Sequence, residues 1–174
     1  MIAMQAAGAD AVELARLEPS DGESLRRLFY RLSPETRYRR FLSPVARPDQ
    51  IHPERLLDVD HRDREAVVAV DGGEIVGVAR YARPPGSDTA EVAVVVADAW
   101  QHRGLGTRML RALANLAAAA GVEHFSLTMQ ADNQRILRLV RQLDPSARFT
   151  LSYGTYEALV PVAAWTRPVS PQPA

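Results

Sequence analysis

Within the stretch Thr89–Ala97, TAEVAVVVA, residues 90–96 are apolar at odd and even positions alike, apart from Glu91. Successive side chains of a strand point to opposite faces, so a strand of this composition needs cover on both sides. A chain that carries it must build a sheet between two layers of helices. Two further strand-like runs precede it, EAVVAVD and EIVGVARYA, joined by Gly72-Gly73, a signature of a tight hairpin. The loop RPPGSD then leads into TAEVAVVVA, which makes the three runs an antiparallel meander.

The flanking sequence supplies the helices. Ala11–Leu17 reads as an edge strand feeding an amphipathic helix in PSDGESLRRLFYRLS, with Leu25, Leu28, Phe29 and Leu32 at helical spacing. Ser33 as N-cap and Pro34 at the first position start a second, short helix that stops before Pro44. Val45–Arg64 reads as a loop with one helical turn over Pro53–Leu57. Leu105, Met109, Leu110, Leu113, Leu116, Ala117 and Ala120 keep a 3.6-residue period up to Gly121, which predicts the longest helix. HFSLTMQ is a further strand, NQRILRLVRQL a helix started by Asp132 or Asn133, and RFTLSY with TYEALVPV a hairpin around Gly154. The expected fold is α/β (α+β), a mixed, mostly antiparallel sheet of six to seven strands flanked by about four helices. One domain is expected over residues 1–166, with a disordered tail over 167–174.

Composition narrows the chemistry. The chain has 174 residues, 47% of them apolar, and 21 basic residues balance 21 acidic ones, so net charge argues for neither nucleic acid nor an anionic membrane as partner. No cysteine is present, which excludes disulfides, a thiolate nucleophile and a cysteine-held zinc. Histidines 52, 61, 102 and 124 show no metal-ligand spacing, and no metal is expected. With neither a basic leader nor a long apolar run, the expected location is the cytoplasm. All 21 basic residues are arginine.

The catalytic signal lies just past the apolar strand. QHRGLG, Gln101 to Gly106, ends one secondary-structure element and opens the long helix, and such a turn presents unpaired N–H groups and the positive end of a helix dipole to an anion. It has neither the lysine of a phosphate-binding P-loop nor the third glycine of a dinucleotide fingerprint. Q-x-x-G-x-G in this setting resembles the acyl-CoA pyrophosphate loop of the GNAT superfamily of N-acetyltransferases, whose order of elements matches Val12–Val162. LSPETRYRRF, DREAVVAVDGGEIVGVARY, AEVAVVVAD and GLGTRML further resemble the catalytic domain of bacterial Pat-type protein lysine acetyltransferases.

The resemblance implies a GNAT fold, acetyl-CoA as co-substrate and an amine acceptor. Amine acetylation needs a base, because an alkyl ammonium is almost fully protonated at neutral pH. Glu91 is the candidate, as the one carboxylate let into an apolar strand, and partial burial is expected for it. By resemblance, Val94, Val95 and Val96 give main-chain contacts to the cofactor arm and an oxyanion donor. Gln101, His102, Arg103, Gly104, Leu105, Gly106 and Thr107 would hold the pyrophosphate, and Asn133 either contacts the cofactor or caps its helix. Val140 stands where many relatives have a general-acid tyrosine; Tyr153 or Tyr156 is the substitute to look for. Arg37, Arg39 and Arg40 read as a solvated basic face. The favoured acceptor is a protein lysine, such as one on an acyl-CoA synthetase, with a small-molecule amine or a non-catalytic acyl-CoA sensor as alternatives; the protein would be a monomer or homodimer.

Overall fold

A computed structural model describes residues 3–5, 12–42 and 53–166. Its centre is one eight-stranded sheet in the order β1-β2-β3-β4-β5-β6-β8-β7, formed by β1 (Ala3–Gln5), β2 (Glu13–Arg16), β3 (Arg64–Asp71), β4 (Glu74–Ala82), β5 (Thr89–Val96), β6 (His124–Gln130), β7 (Phe149–Ser152) and β8 (Thr155–Pro161). Every pairing is antiparallel except β5 with β6. The mixed, mostly antiparallel sheet is as expected; the short β1 adds a strand and takes the edge position assigned to β2. The helices are α1 (Gly22–Arg31), α2 (Pro34–Phe41), α3 (Pro53–Leu56), α4 (Leu105–Ala119), α5 (Gln134–Leu143) and α6 (Val162–Thr166). None of them is long and apolar enough to cross a membrane. Residues 167–174, read as a disordered tail, lie outside the described residues.

Two-sided burial of the meander follows its sequence. Ala66, Val68 and Val78 pack against Leu25, Leu28 and Phe29 of α1, whereas Val67, Ala69 and Ala79 belong with Met109, Leu110 and Leu113 of α4. At Gly77 the sheet meets α4 so closely that a Cβ would sit 2.9 Å from Met109 Cε and 3.2 Å from the Val95 carbonyl oxygen.

Local signals set the boundaries. Gly72 and Gly73 both hold positive φ, 56° and 82°, as the tight hairpin requires. Ser33 caps α2 by accepting from the Thr36 N–H. Gly121, at φ 75°, closes α4, with Val122 N–H donating to the Ala117 carbonyl and Gly121 N–H to that of Ala118. That pattern satisfies two carbonyls the helix end would leave unpaired.

Candidate active site

The parallel pair β5–β6 is joined only at Thr89–Glu91 against His124–Ser126. Beyond Glu91 the two strands diverge, β5 staying with β4 and β6 with β8. Ala97 N–H donates to the Val76 carbonyl, which fixes the ladder: Val95 exchanges its main-chain bonds with Val78, while Val94 and Val96 turn theirs toward the gap. A cleft of about 590 Å³ opens there, bounded by β5, β6, α2, α5 and the start of α4.

The loop between β5 and α4 is held by side chains that sequence reading had not connected. Asp98 accepts from Ser33 N–H at 3.0 Å, Ser33 Oγ at 2.7 Å and Thr36 Oγ1 at 2.8 Å. Burial pushes its carboxyl up, but these hydrogen bonds outweigh it and hold the group below its ordinary value. Trp100 Nε1 donates to Asp71 at 2.7 Å, fixing the turn against the meander. Gln101 Nε2 donates to the Val96 carbonyl at 3.0 Å, and its Oε1 accepts from Arg135. The Gln101 N–H bonds Asp98 O at 3.3 Å, so this residue braces the loop with the groups it could have offered a ligand.

The start of α4 leaves its first main-chain donors without a side-chain cap. His102 and Gly104 take left-handed φ values of 61° and 72°, and no side chain caps the helix. The first N–H groups of a helix have no partner within it, so Leu105, Gly106 and Thr107 present theirs outward at the positive end of the dipole. A Cβ on Gly104 would meet nothing within 4 Å, so glycine serves the backbone angle there; on Gly106 it would approach Leu139 Cδ1 to 3.1 Å. The two glycines answer different constraints.

All the residues anticipated from sequence border this cleft except Arg103, which is exposed outside it. Val95 lines it with its own N–H and C=O engaged by β4, so as a source of main-chain contacts it gives way to Val94 and Val96. Glu91 is exposed, not partly buried, at the open end of the cleft. Asn133 caps α5, its Oδ1 accepting from Ile136 N–H at 3.3 Å and from Arg39 at 3.2 Å. Val140 is buried in the core, and neither Tyr153 nor Tyr156 reaches the cleft: the first is fully exposed and the second meets Phe149 edge to face.

The basic face read on α2 is not solvated. Arg37 is buried and donates to the Leu32 carbonyl at 2.7 Å, Arg39 pairs with Glu35 at 2.8 Å besides reaching Asn133, and half-buried Arg40 lines the cleft. Arg135, Arg138 and Gln142 of α5 also line it. Their spacing puts them on one helix face, opposite Leu137 and Val140, and that periodicity was available in the sequence. At the far end of β6, Asp88, Glu123 and His124 bring ligand-type atoms within 4.8 Å of one another, a grouping that histidine spacing could not disclose.

Residues 25–144 match the model of the acetyltransferase (GNAT) family. Acetyltransferase PA5475 of Pseudomonas aeruginosa is 32% identical over 139 residues, 74% of this chain and 75% of that protein. Acetyltransferase Pat of Mycolicibacterium smegmatis is 36% identical over 114 residues, 64% of this chain but only 34% of the relative. Thus the chain spans about a third of that protein's length. Among solved structures, the GNAT domain of S. lividans PAT superposes with a TM-score of 0.78 at 24% identity, covering 90% of this chain and 99% of that one.

Proposed function

Since the chain belongs to the acetyltransferase (GNAT) family, for which acetyl-CoA is the co-substrate, we propose that it acetylates protein lysine ε-amines by direct transfer, with Glu91 as general base. One observation carries the choice of acceptor. Glu91 stands exposed beside the free edge of β5, on a sheet face that continues through its register neighbours Ser126 and Leu159 and the adjacent row Thr128, Glu157 and Thr150. Among the described residues no helix covers β7 or β8 on that side, and Leu159 is 58% exposed. An open, nearly flat approach suits a side chain presented by a folded surface; a small amine would ordinarily be enclosed.

The site's own groups fit an acyl-CoA. The uncapped start of α4, from Gly104 to Thr107, would hold the pyrophosphate, and Arg135 and Arg138 stand along the same cleft to balance its charge. The open main-chain groups of Val94 and the N–H of Val96, whose carbonyl is taken by Gln101, would receive the amide-bearing arm, and the Val94 N–H is the donor we assign to the thioester oxygen. Acetyl-CoA supplies an activated acyl group with a thiolate leaving group. Glu91 accepts the proton of the incoming ammonium, through a water molecule, and so gives the amine its lone pair. With no tyrosine in the cleft, the C–S bond breaks to release CoA as a thiolate, whose thiol pKa is about 8.5, and the second proton lost by the acetylated nitrogen neutralises it.

The test is Glu91→Gln. Acetyl-CoA affinity measured by calorimetry should stay within about twofold, while CoA release with a lysine-bearing protein falls by about a hundredfold or more. Undiminished turnover would remove Glu91 from the mechanism. Binding by the wild type without release from any amine would favour the sensor reading.

A further inference from the structure

We propose that Arg40 and Arg80 form an anion subsite beside Glu91 that selects acceptor lysines with an acidic residue next to them. The inference rests on the protein-lysine reading above and adds what the acceptor sequence must contain.

Arg80 lies in β4 directly opposite Ala93, two residues along β5 from Glu91, and Ala82 is the register partner of Glu91. Arg80, Ala93 and Glu91 therefore share the acceptor face, and a diagonal neighbour at about 7–8 Å is within reach of a guanidinium. Ala93 leaves the space between them free of bulk. Arg40 enters from above on α2, lining the cleft together with Glu91, its guanidinium 4.9 Å from the Phe41 ring centroid. Arg80 donates to the Arg55 carbonyl at 3.4 Å. Among the described residues neither arginine forms an ion pair, and the nearby Asp58 is taken by Arg64 at 3.3 Å.

Charge balance follows from the placement. Both guanidinium groups are half-buried, and burial is the main cause pushing each below its ordinary value, Arg40 to about 10; the Arg80 charge presses Arg40 further down and Glu91 opposes the shift in both. They remain cationic at neutral pH. Two positive charges against the one carboxylate leave the acceptor end positive, and a lone lysine ammonium would add a third. An acceptor bringing its own carboxylate restores the balance and gains charge-assisted hydrogen bonds from the arginines. Mixed charge on an otherwise open face thus works as a filter on what surrounds the lysine.

The experiment compares two peptides that differ only in Glu or Gln on either side of one lysine, with acetyl-CoA and the full chain, reading kcat/KM by CoA release. Wild type should prefer the acidic peptide by about tenfold or more. Raising salt should compress that ratio, Arg80→Gln should bring it toward unity, and Arg80→Glu should turn the preference toward an arginine-flanked peptide. Arg80→Lys should retain part of it, which separates charge from folding. Equal rates with both peptides, or a ratio unmoved by salt and by Arg80→Glu, would overturn the subsite while leaving the protein-lysine reading intact. A charge preference confined to free amino acids with their own carboxylate, or acetylation of neither peptide, would overturn both.

Discussion

Gln101 Nε2 donates to the main-chain carbonyl of Val96 at 3.0 Å, tying the first residue of the anion-binding loop to the last residue of the splayed strand. Its Oε1 holds Arg135 of α5 on the opposite wall. One carboxamide therefore sets both the gap and the loop that ends it. Nε2 also donates to Thr36 Oγ1 at 3.3 Å, so Gln101→Ala should lose three hydrogen bonds of about 0.5–1.5 kcal/mol each, lowering acetyl-CoA affinity by about tenfold or more. Calorimetry on the variant checks this; an unchanged Kd would show that the loop holds its shape without the brace.

Gly104 and Gly106 should fail in different ways. At Gly104 an added methyl has free space but the wrong φ, so Gly104→Ala should cost about 1–2 kcal/mol of local conformational energy, taken from stability or from cofactor affinity. At Gly106 the backbone is helical and the obstacle is Leu139, so Gly106→Val should push α5 aside. Truncating the obstacle in Gly106→Val/Leu139→Ala should recover part of the lost affinity. The same truncation should do nothing for Gly104→Ala, and thermal melting with and without acetyl-CoA separates the cases.

Asp98 predicts an acid-sensitive loop. Its carboxyl is held below its ordinary value, so it binds fewer protons folded than unfolded, and the stabilisation is present above the unfolded pKa of about 3.9. It is lost as pH falls through the lower folded value. The Tm advantage of wild type over Asp98→Asn should therefore be largest near neutral pH and shrink as the pH is taken below about 4. A difference that stays constant down to full protonation would mean the carboxylate's charge contributes nothing to docking Ser33 and Thr36.

Much of this architecture was legible because it is written locally. The two-faced apolar pattern of Ala90–Ala97 called for helices on both sides, and Ser33, Gly72, Gly73 and Gly121 marked boundaries through their own backbone needs. Illegible were the contacts between distant segments. Arg39 meets Asn133 across 94 residues, and Asp98 meets Ser33 across 65. Neither partner carries a mark of the other. The exposure of Glu91 belongs to the same class: alternation assigns it a face, but only the tertiary arrangement shows that the covering helices stop short of β8. Arg80 and Glu91 carry no mark of each other until the register of β4 and β5 brings them to one face.

The absence of lysine makes a prediction of its own. On the protein-lysine reading proposed above, a chain without lysine has no side-chain ε-amine of its own to acetylate, whatever its concentration. Incubation with labelled acetyl-CoA, followed by peptide mass spectrometry, should find no label on internal amines. Heavy internal labelling would require an unforeseen nucleophile and would undercut amine specificity.

Asn133 serves two neighbours with one oxygen, so its roles can be separated by side-chain length. Asn133→Ala removes both the α5 cap and the contact to Arg39, and should cost about 1 kcal/mol of stability for the cap alone. Serine caps as well as asparagine but is too short to keep hold of Arg39, so Asn133→Ser should melt near wild type. If affinity for acetyl-CoA depends on Asn133 only through the helix start, the serine variant will bind as wild type does. If the carboxamide itself contacts the cofactor, or the Arg39 tie shapes the mouth of the cleft, serine will bind as weakly as alanine. Arg39→Ala then decides between these two, since it breaks the tie and leaves the carboxamide in place. Weak binding by Arg39→Ala assigns the effect to the bridge between α2 and α5, and normal binding assigns it to direct contact.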